Sequence, residues 1–216
     1  MVDENAIREA IKKLRASPKR KFVQTVELIV NLKDIDVKKE EGKIEELLAL
    51  PNGRGEPAKI CALIGPELLD FTKGICDRVI LADDFEKLSQ REIKRIARDY
   101  TFFIAQANIM PLVAKVFGRA LASKGKMPTP KFGLIVPPKS NVKPLVEKLR
   151  KSIKLISKKA PVIQTIVGNE KMSDEELMQN IIAVLDLLKA KLPNSERNIK
   201  NIILKLTMGA PISVNL

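Results

Sequence analysis

Residues 58–64, AKICALI, followed at once by PELLDFTKG at 66–74, decide the fold. The first is an apolar run of strand length with no polar face, and the second is helical in composition. The alternation recurs as RVILA (78–82) with DFEKLSQREIKRIARDY (84–100) and FFIA (102–105) with IMPLVAKVFGRALAS (109–123). It recurs once more as FGLIV (132–136) with NVKPLVEKLRKS (141–152). Strands this apolar have no wet face. Four such units in succession predict a parallel sheet covered by helices on both sides.

Outward from this block the pattern changes. Before it stand the turn signals Pro51, Asn52, Gly53, Gly55 and Pro57. Residues 3–15 place Ile7, Ile11 and Leu14 on one helical face, with Asp3 and Glu4 at the amino end and Lys12, Lys13 and Arg15 at the carboxyl end. KFVQTVELIVNL (21–32) alternates with period two, Val26, Leu28, Val30 and Leu32 on one face and Thr25, Glu27 and Asn31 on the other. IEELLAL (44–50) is taken as a strand although its propensity is helical. After the block, IKLIS (153–157) and PVIQTIVG (161–168) read as strands. Ser173-Asp174-Glu175-Glu176 then makes a capping box for a helix carrying Leu177, Ile181, Leu185 and Leu188 inward. IKNIILKL (199–206) is a last strand before TMGAPISVNL. Neither flank has enough residues for a convincing core alone. Together, 1–56 and 153–216 make one α+β outer domain, split in sequence, with 57–152 inserted and hinge crossings near Glu56 and Ser152. The fold class expected is α/β.

The chain has 216 residues, 45% of them hydrophobic, and a net charge of +13. A globular, basic protein follows. No His occurs, which excludes Ser-His-Asp and Cys-His catalysis, HExxH zinc sites and imidazole pH switches. Cys61 and Cys76 are too few for a four-ligand zinc site and read as packed thiols. MVDENAIREAIKK has no apolar segment of the secretory kind, so a cytoplasmic address is expected. Thr101 to Ala114, interrupted by Gln106, Asn108 and Pro111, falls short of the roughly 20 residues that span a bilayer. No membrane partner is expected.

Charge is unevenly placed: +1 for 1–56, +9 for 57–152 and +3 for 153–216. No acid lies between Asp99 and Glu147, where Lys115, Arg119, Lys124, Lys126, Lys131, Lys139 and Lys143 fall. Lys12 to Lys21 holds six bases, Lys19 among them, and no acid. A solvated basic surface is the bland reading; clusters of this kind also suit phosphate backbones, through counterion release, and the balance favours nucleic acid. Eight aromatics and no RNP-like strand disfavour a single-strand stacking platform, so a structured, shape-read target fits better.

Enzymatic motifs fail in turn. The first turn of the block reads Ile64-Gly65-Pro66-Glu67, not GxGxxG. Gly118 is followed by six residues and then Gly125-Lys126-Met127, where a P-loop needs four residues and a Ser or Thr after the Lys. Asp83-Asp84 could hold a cation, but an acidic pair there also favours the amino end of the next helix, which is the stronger reading. KGKMPTPK (124–131) is a rigid basic loop for a phosphate backbone or a plain connector. In TMGAP (207–211), Gly209 permits close backbone approach or positive φ.

Four stretches carry a resemblance, in order along the whole chain: KFVQTVELIVNL, LPNGRG (50–55), KGKMPTPKFG (124–133) and LTMGAPISV (206–214). They are similar to the family of universal large-subunit ribosomal protein number one, the protein of the mobile stalk beside the tRNA exit site, in its archaeal form. The resemblance implies a split outer domain with an inserted Rossmann-like domain and no catalysis, cofactor or metal. It implies binding to the rRNA stalk helices, help with movement and release of deacylated tRNA, and repression of the protein's own mRNA. A monomer is expected outside the ribosome. It also implies an RNA surface on the outer domain, with Phe22, Thr25 and Glu27 beside Thr207, Met208 and Gly209, and Lys21 near the edge. Lys124, Lys126 and Lys131 would supply secondary RNA contacts.

Two readings stay open at this point. Phe22 has the strand parity of Val26 and could be core. Glu27 could be a strand-face salt bridge, or could accept from base amino groups or 2′-hydroxyls as a discriminator. The competing function is a nucleotide- or sugar-phosphate-binding enzyme built on the inserted domain.

Overall fold

Alternation in TVELIVNL, broken only by Ile29 on the polar face, sets the first sheet. The computed structural model describes residues 4–18, 20–36, 43–138, 140–157 and 160–214. Asp3, Lys19 and Lys139, used in the sequence argument, lie outside the described residues, as do the last two residues of TMGAPISVNL. The chain divides into two compact units, Met1–Pro57 with Lys151–Leu216, and Ala58–Arg150. In the first half of the chain run α1 (Glu4–Arg15), β1 (Thr25–Leu32), β2 (Ile44–Ala49), β3 (Ile60–Ile64), α2 (Leu69–Thr72), β4 (Arg78–Leu81) and α3 (Gln90–Asp99). Then come β5 (Phe102–Gln106), α4 (Met110–Ser123), β6 (Ile135–Val136), α5 (Lys143–Arg150), β7 (Ser152–Ser157), β8 (Val162–Asn169), α6 (Asp174–Lys191), β9 (Ile199–Leu206) and β10 (Ile212–Val214).

In the split unit β1 lies inside a four-stranded sheet of order β10-β9-β1-β8, antiparallel throughout. Val26, Leu28, Val30 and Leu32 are buried, and the alternate residues Thr25, Glu27, Ile29 and Asn31 are half-buried on the opposite face. The buried face joins one core with Ile7, Ile11 and Leu14 of α1 and Leu177, Ile181, Leu185 and Leu188 of α6. Each such side chain contributes roughly 1.5–3 kcal/mol by leaving water. That packing holds α1, whose 12 residues are too few for a stable isolated helix. The capping box at α6 forms as expected: Glu176 N–H donates to Ser173 Oγ at 3.2 Å, and Ser173 N–H donates to Glu176 Oε2 at 2.8 Å. IEELLA is a strand despite its propensity, because β2 pairs antiparallel with β7, and Lys154 Nζ meets Glu45 at 2.7 Å.

The contiguous unit holds a parallel sheet of order β4-β3-β5-β6. Cys61 and Leu63 of β3 pack with Ile93 and Ile96 of α3 and Val113, Phe117 and Leu121 of α4. Phe85 meets Phe117 edge-on, ring centroids 5.2 Å apart. Ile60, Ala62 and Ile64 alternate with these and are equally buried, so both faces of β3 are covered. The helix expected over 84–100 is divided. Ala82–Lys87 is a 3-10 segment, and α3 starts only after Ser89, whose hydroxyl accepts from Glu92 N–H in a second capping box. The Asp83-Asp84 pair therefore caps no α-helix by side chain; Asp84 takes Lys87 Nζ at 2.7 Å instead. PELLDFT forms only a 3-10 turn and the four-residue α2.

Candidate nucleic-acid interface

The sequence-predicted residues converge where β1 begins and β9 ends. The β1–β9 ladder runs Leu28↔Leu204, Glu27↔Lys205, Val26↔Leu206. One step beyond it, Thr207 N–H donates to the Thr25 carbonyl at 3.2 Å. Thr207 Oγ1 also lies 3.3 Å from Thr25 N and 3.4 Å from Thr25 O. These hydroxyl distances are at the long end for a hydrogen bond, and Thr207 is exposed.

The two most exposed large apolar side chains among the described residues, Met208 at 60% and Phe22 at 52%, lie one residue after Thr207 and three before Thr25 in the chain. Phe22 is therefore not core. The strand starts at Thr25, so parity does not reach back to residue 22, and Gln24 occupies the last inward position, 1% exposed. Gln24 Oε1 accepts from Met208 N–H at 3.1 Å, and its carbonyl accepts from Glu170 N–H at 3.0 Å. This residue was missed, although a polar side chain in an apolar stripe was the signal that could have found it.

The turn after β9 is tight at Gly209. Its N–H donates to Leu206 O at 2.9 Å, and a Cβ there would lie 3.0 Å from Leu206 Cβ. Of the two reasons for this glycine, close approach is the operative one; its φ is not among the positive ones.

Glu27 stands half-buried on the open face, directly opposite Lys205 on β9 and Ile166 on β8. Among the described residues it has no ion-pair partner, so the salt-bridge reading fails and the carboxylate remains an available acceptor. The β1–β8 register shifts between Val26 and Glu27, a bulge that re-aims side chains. It brings a third segment to the corner: Asn169 is paired with Thr25, and its Oδ1 accepts from Lys171 N–H at 3.1 Å. Lys21 and Lys171 are exposed.

The secondary lysines lie in the other unit. Lys124 and Lys131 are exposed, and Lys131 Nζ is 5.7 Å from the Phe132 ring centroid. Lys126 is engaged: its ammonium donates to Ala97 O at 2.9 Å, Arg98 O at 3.2 Å and Tyr100 O at 2.6 Å, capping the carboxyl end of α3. Burial, and then the neighbouring Lys124, hold its pKa below the ordinary lysine value.

The nucleotide alternative depends on the crevice between β3 and β5, where the strand order reverses. There Gln106 Oε1 accepts from Gly65 N–H at 2.8 Å, and Gln106 Nε2 donates to Glu67 at 3.1 Å. The backbone N–H that a phosphate would need is taken. Burial pushes the Cys61 thiol up to about 12 and the Cys76 thiol to about 11, so neither is a thiolate nucleophile at neutral pH. Among the described residues no group of three or more His, Cys, Asp or Glu could hold a metal ion.

Residues 12–210 match the ribosomal protein L1p/L10e family. The chain belongs to that family. Curated relatives over the full length include large ribosomal subunit protein uL1 of Methanothermococcus thermolithotrophicus, 39% identical and covering 99% of both chains. The uL1 of Methanothermobacter thermautotrophicus is 40% identical over 98% of this chain and 99% of its own. The similarity is to the archaeal form of the family, whose members are structural proteins and not enzymes.

Proposed function

We propose that the protein is a structural rRNA-binding component of the large ribosomal subunit, in the cytoplasm, gripping RNA with the corner built by Lys21, Phe22, Thr25, Glu27, Thr207, Met208 and Gly209. One observation supports this reading: the Thr25–Thr207 link ties the start of β1 to the turn after β9, and these two segments carry the exposed Phe22 and Met208 side chains and the Glu27 carboxylate, which has no ion-pair partner among the described residues. Phe22 and Met208 offer surfaces to unstacked bases, while the Thr207 hydroxyl and Glu27 read polar edges or 2′-hydroxyls. Carboxylates are costly next to phosphates. The backbone therefore runs past Lys21 and Lys171, not past Glu27. The RNA is the stalk segment of the large-subunit rRNA, and a similar site on the protein's own mRNA lets it repress its translation. At the stalk it assists movement and release of deacylated tRNA, and off the ribosome it is a monomer. Lys124 and Lys131 add weaker backbone contacts; Lys126 supports them only by holding α3.

The test is a gel-shift titration with large-subunit rRNA and with the leader of its own mRNA. Thr207→Val should cost about 1–3 kcal/mol on both, because an RNA polar group is left buried without a partner. It should leave the thermal midpoint nearly unchanged, Thr207 being exposed. Unchanged affinity for both RNAs would overturn the site.

A further inference from the structure

A groove of about 590 Å³ runs between α3 and α4 of the contiguous unit, and its rim holds Lys94, Arg98, Lys115, Arg119 and Lys124 without a single acid. Lys94 and Arg98 are one helical turn apart on α3, and Lys115 and Arg119 one turn apart on α4, so each helix presents a cationic stripe along the groove. All five side chains are exposed.

Four of the five rim cations, all but Arg98, are uncompensated because of what the local sequence does with its acids. α4, MPLVAKVFGRALAS, contains none. Glu92 of α3 is spent on the Ser89 cap, and Asp99 on Arg95 at 3.5 Å and Arg98 at 3.1 Å. Among the described residues Lys94, Lys115, Arg119 and Lys124 have no ion-pair partner. Some cations elsewhere are matched, as Lys87 with Asp84 and Lys189 with Glu196, each at 2.7 Å. Cations held together without acids raise the free energy of the isolated protein, and a polyanion relieves it.

We propose that this groove binds the phosphate backbone of a second RNA segment, separate from the one held at the Thr25–Thr207 corner. The inference rests on the rRNA reading above. The floor, Ile93, Val116 and Ala120, is aliphatic and no aromatic lines the groove, so bases are neither stacked nor read. Cations spread over two helices and facing solvent suit a chain of phosphates and not one enclosed anion. Contact here is blind to sequence and adds affinity and salt dependence.

The test uses the full chain with Lys94, Lys115, Arg119 and Lys124 all changed to Gln, and Thr207→Val in parallel. The probes are large-subunit rRNA, a short RNA duplex of scrambled sequence, and a polyglutamate peptide. Neutralising four cations should reduce the slope of log K against log salt by about 3 and lower low-salt affinity for the scrambled duplex at least tenfold. The preference for rRNA over scrambled RNA should survive. An unchanged slope with a fall in affinity only for Thr207→Val overturns the groove and leaves the corner standing. Loss of all rRNA preference in the fourfold variant, with Thr207→Val silent, overturns the corner. Loss of polyglutamate binding with unchanged RNA binding makes the groove a site for acidic protein, against the proposal. In the unaltered protein, RNA should slow acetylation of Lys94, Lys115 and Lys124; equal rates with and without RNA count against it, whatever the variant's folding.

Discussion

Gln24, 1% exposed, accepts a hydrogen bond through Oε1 from the backbone N–H of Met208 at 3.1 Å, joining residues 184 apart in sequence. The turn that presents Met208 is thus fixed from beneath by a buried side chain. Gln24→Met keeps the length and removes the acceptor. It should destabilise the fold by about 1–3 kcal/mol and weaken RNA binding, because the turn loses its anchor. Thermal unfolding and a filter-binding titration read the two effects. Full RNA affinity at a lowered melting midpoint would show that the turn holds its shape without Gln24.

How much of this was legible follows from which interactions are local. β1 was readable because its residues alternate from Thr25 to Leu32 with Ile29 the one exception, and α6 because Ser173 and Glu176 satisfy each other three residues apart. The parallel sheet was readable because FFIAQ is buried on both sides. β2 resisted reading because its partner, Ser152–Ser157, is about a hundred residues away, and pairing overrode helical propensity. Phe22 resisted because parity is meaningful only inside a strand, and the strand starts three residues later. The candidate corner was legible as a set of residues only through family resemblance, while bulk charge pointed to the contiguous unit instead. The Gln24 anchor and the Asn169–Lys171 segment depend on long-range register, which composition does not record.

Lys126 separates a structural lysine from an RNA-contacting one. Its three carbonyl bonds satisfy the end of α3, so Lys126→Met should cost about 1–2 kcal/mol of stability and leave the preference for rRNA over scrambled RNA intact. Denaturant unfolding beside the gel shift decides it. Unchanged stability with a clear loss of RNA affinity would return Lys126 to the RNA contacts.

The two thiols make a chemical prediction. Their pKa values, about 12 for Cys61 and about 11 for Cys76, exceed the ordinary 9.0 because burial penalises the thiolate. At pH 8 a disulfide reagent should react slowly with the folded protein, half-buried Cys76 before buried Cys61, and rapidly with both in denaturant. The sign for stability follows. Raised folded pKa values mean that the thiols' contribution is whole below about pH 9, where the unfolded chain also keeps its protons. It falls as pH rises toward 11 and 12, where the unfolded chain has lost them. Melting midpoints that rise across this alkaline range in step with thiol ionisation would contradict the burial argument.

Deleting residues 58–150 sets charge against fit. Ala58 N–H donates to Arg150 O at 3.0 Å, so the ends to be joined are close, and a short Gly-Ser linker suffices. The deletion removes 17 basic and 9 acidic residues, +8 of the total +13, and keeps Lys21, Phe22, Thr25, Glu27, Thr207, Met208 and Gly209 with the core beneath them. If the intact protein neutralises about five phosphates, its log-log salt slope is roughly −3.5 to −4.5. The deleted protein, once circular dichroism shows it folded, should have a shallower slope and keep most of its preference for rRNA over scrambled RNA, because fitted hydrogen bonds are less screened than phosphate contacts. Introducing Thr207→Val into the deleted protein should then remove that preference. A folded deletion protein with no preference for rRNA would move specific recognition to the contiguous unit and overturn the corner of Thr25 and Thr207 as the site.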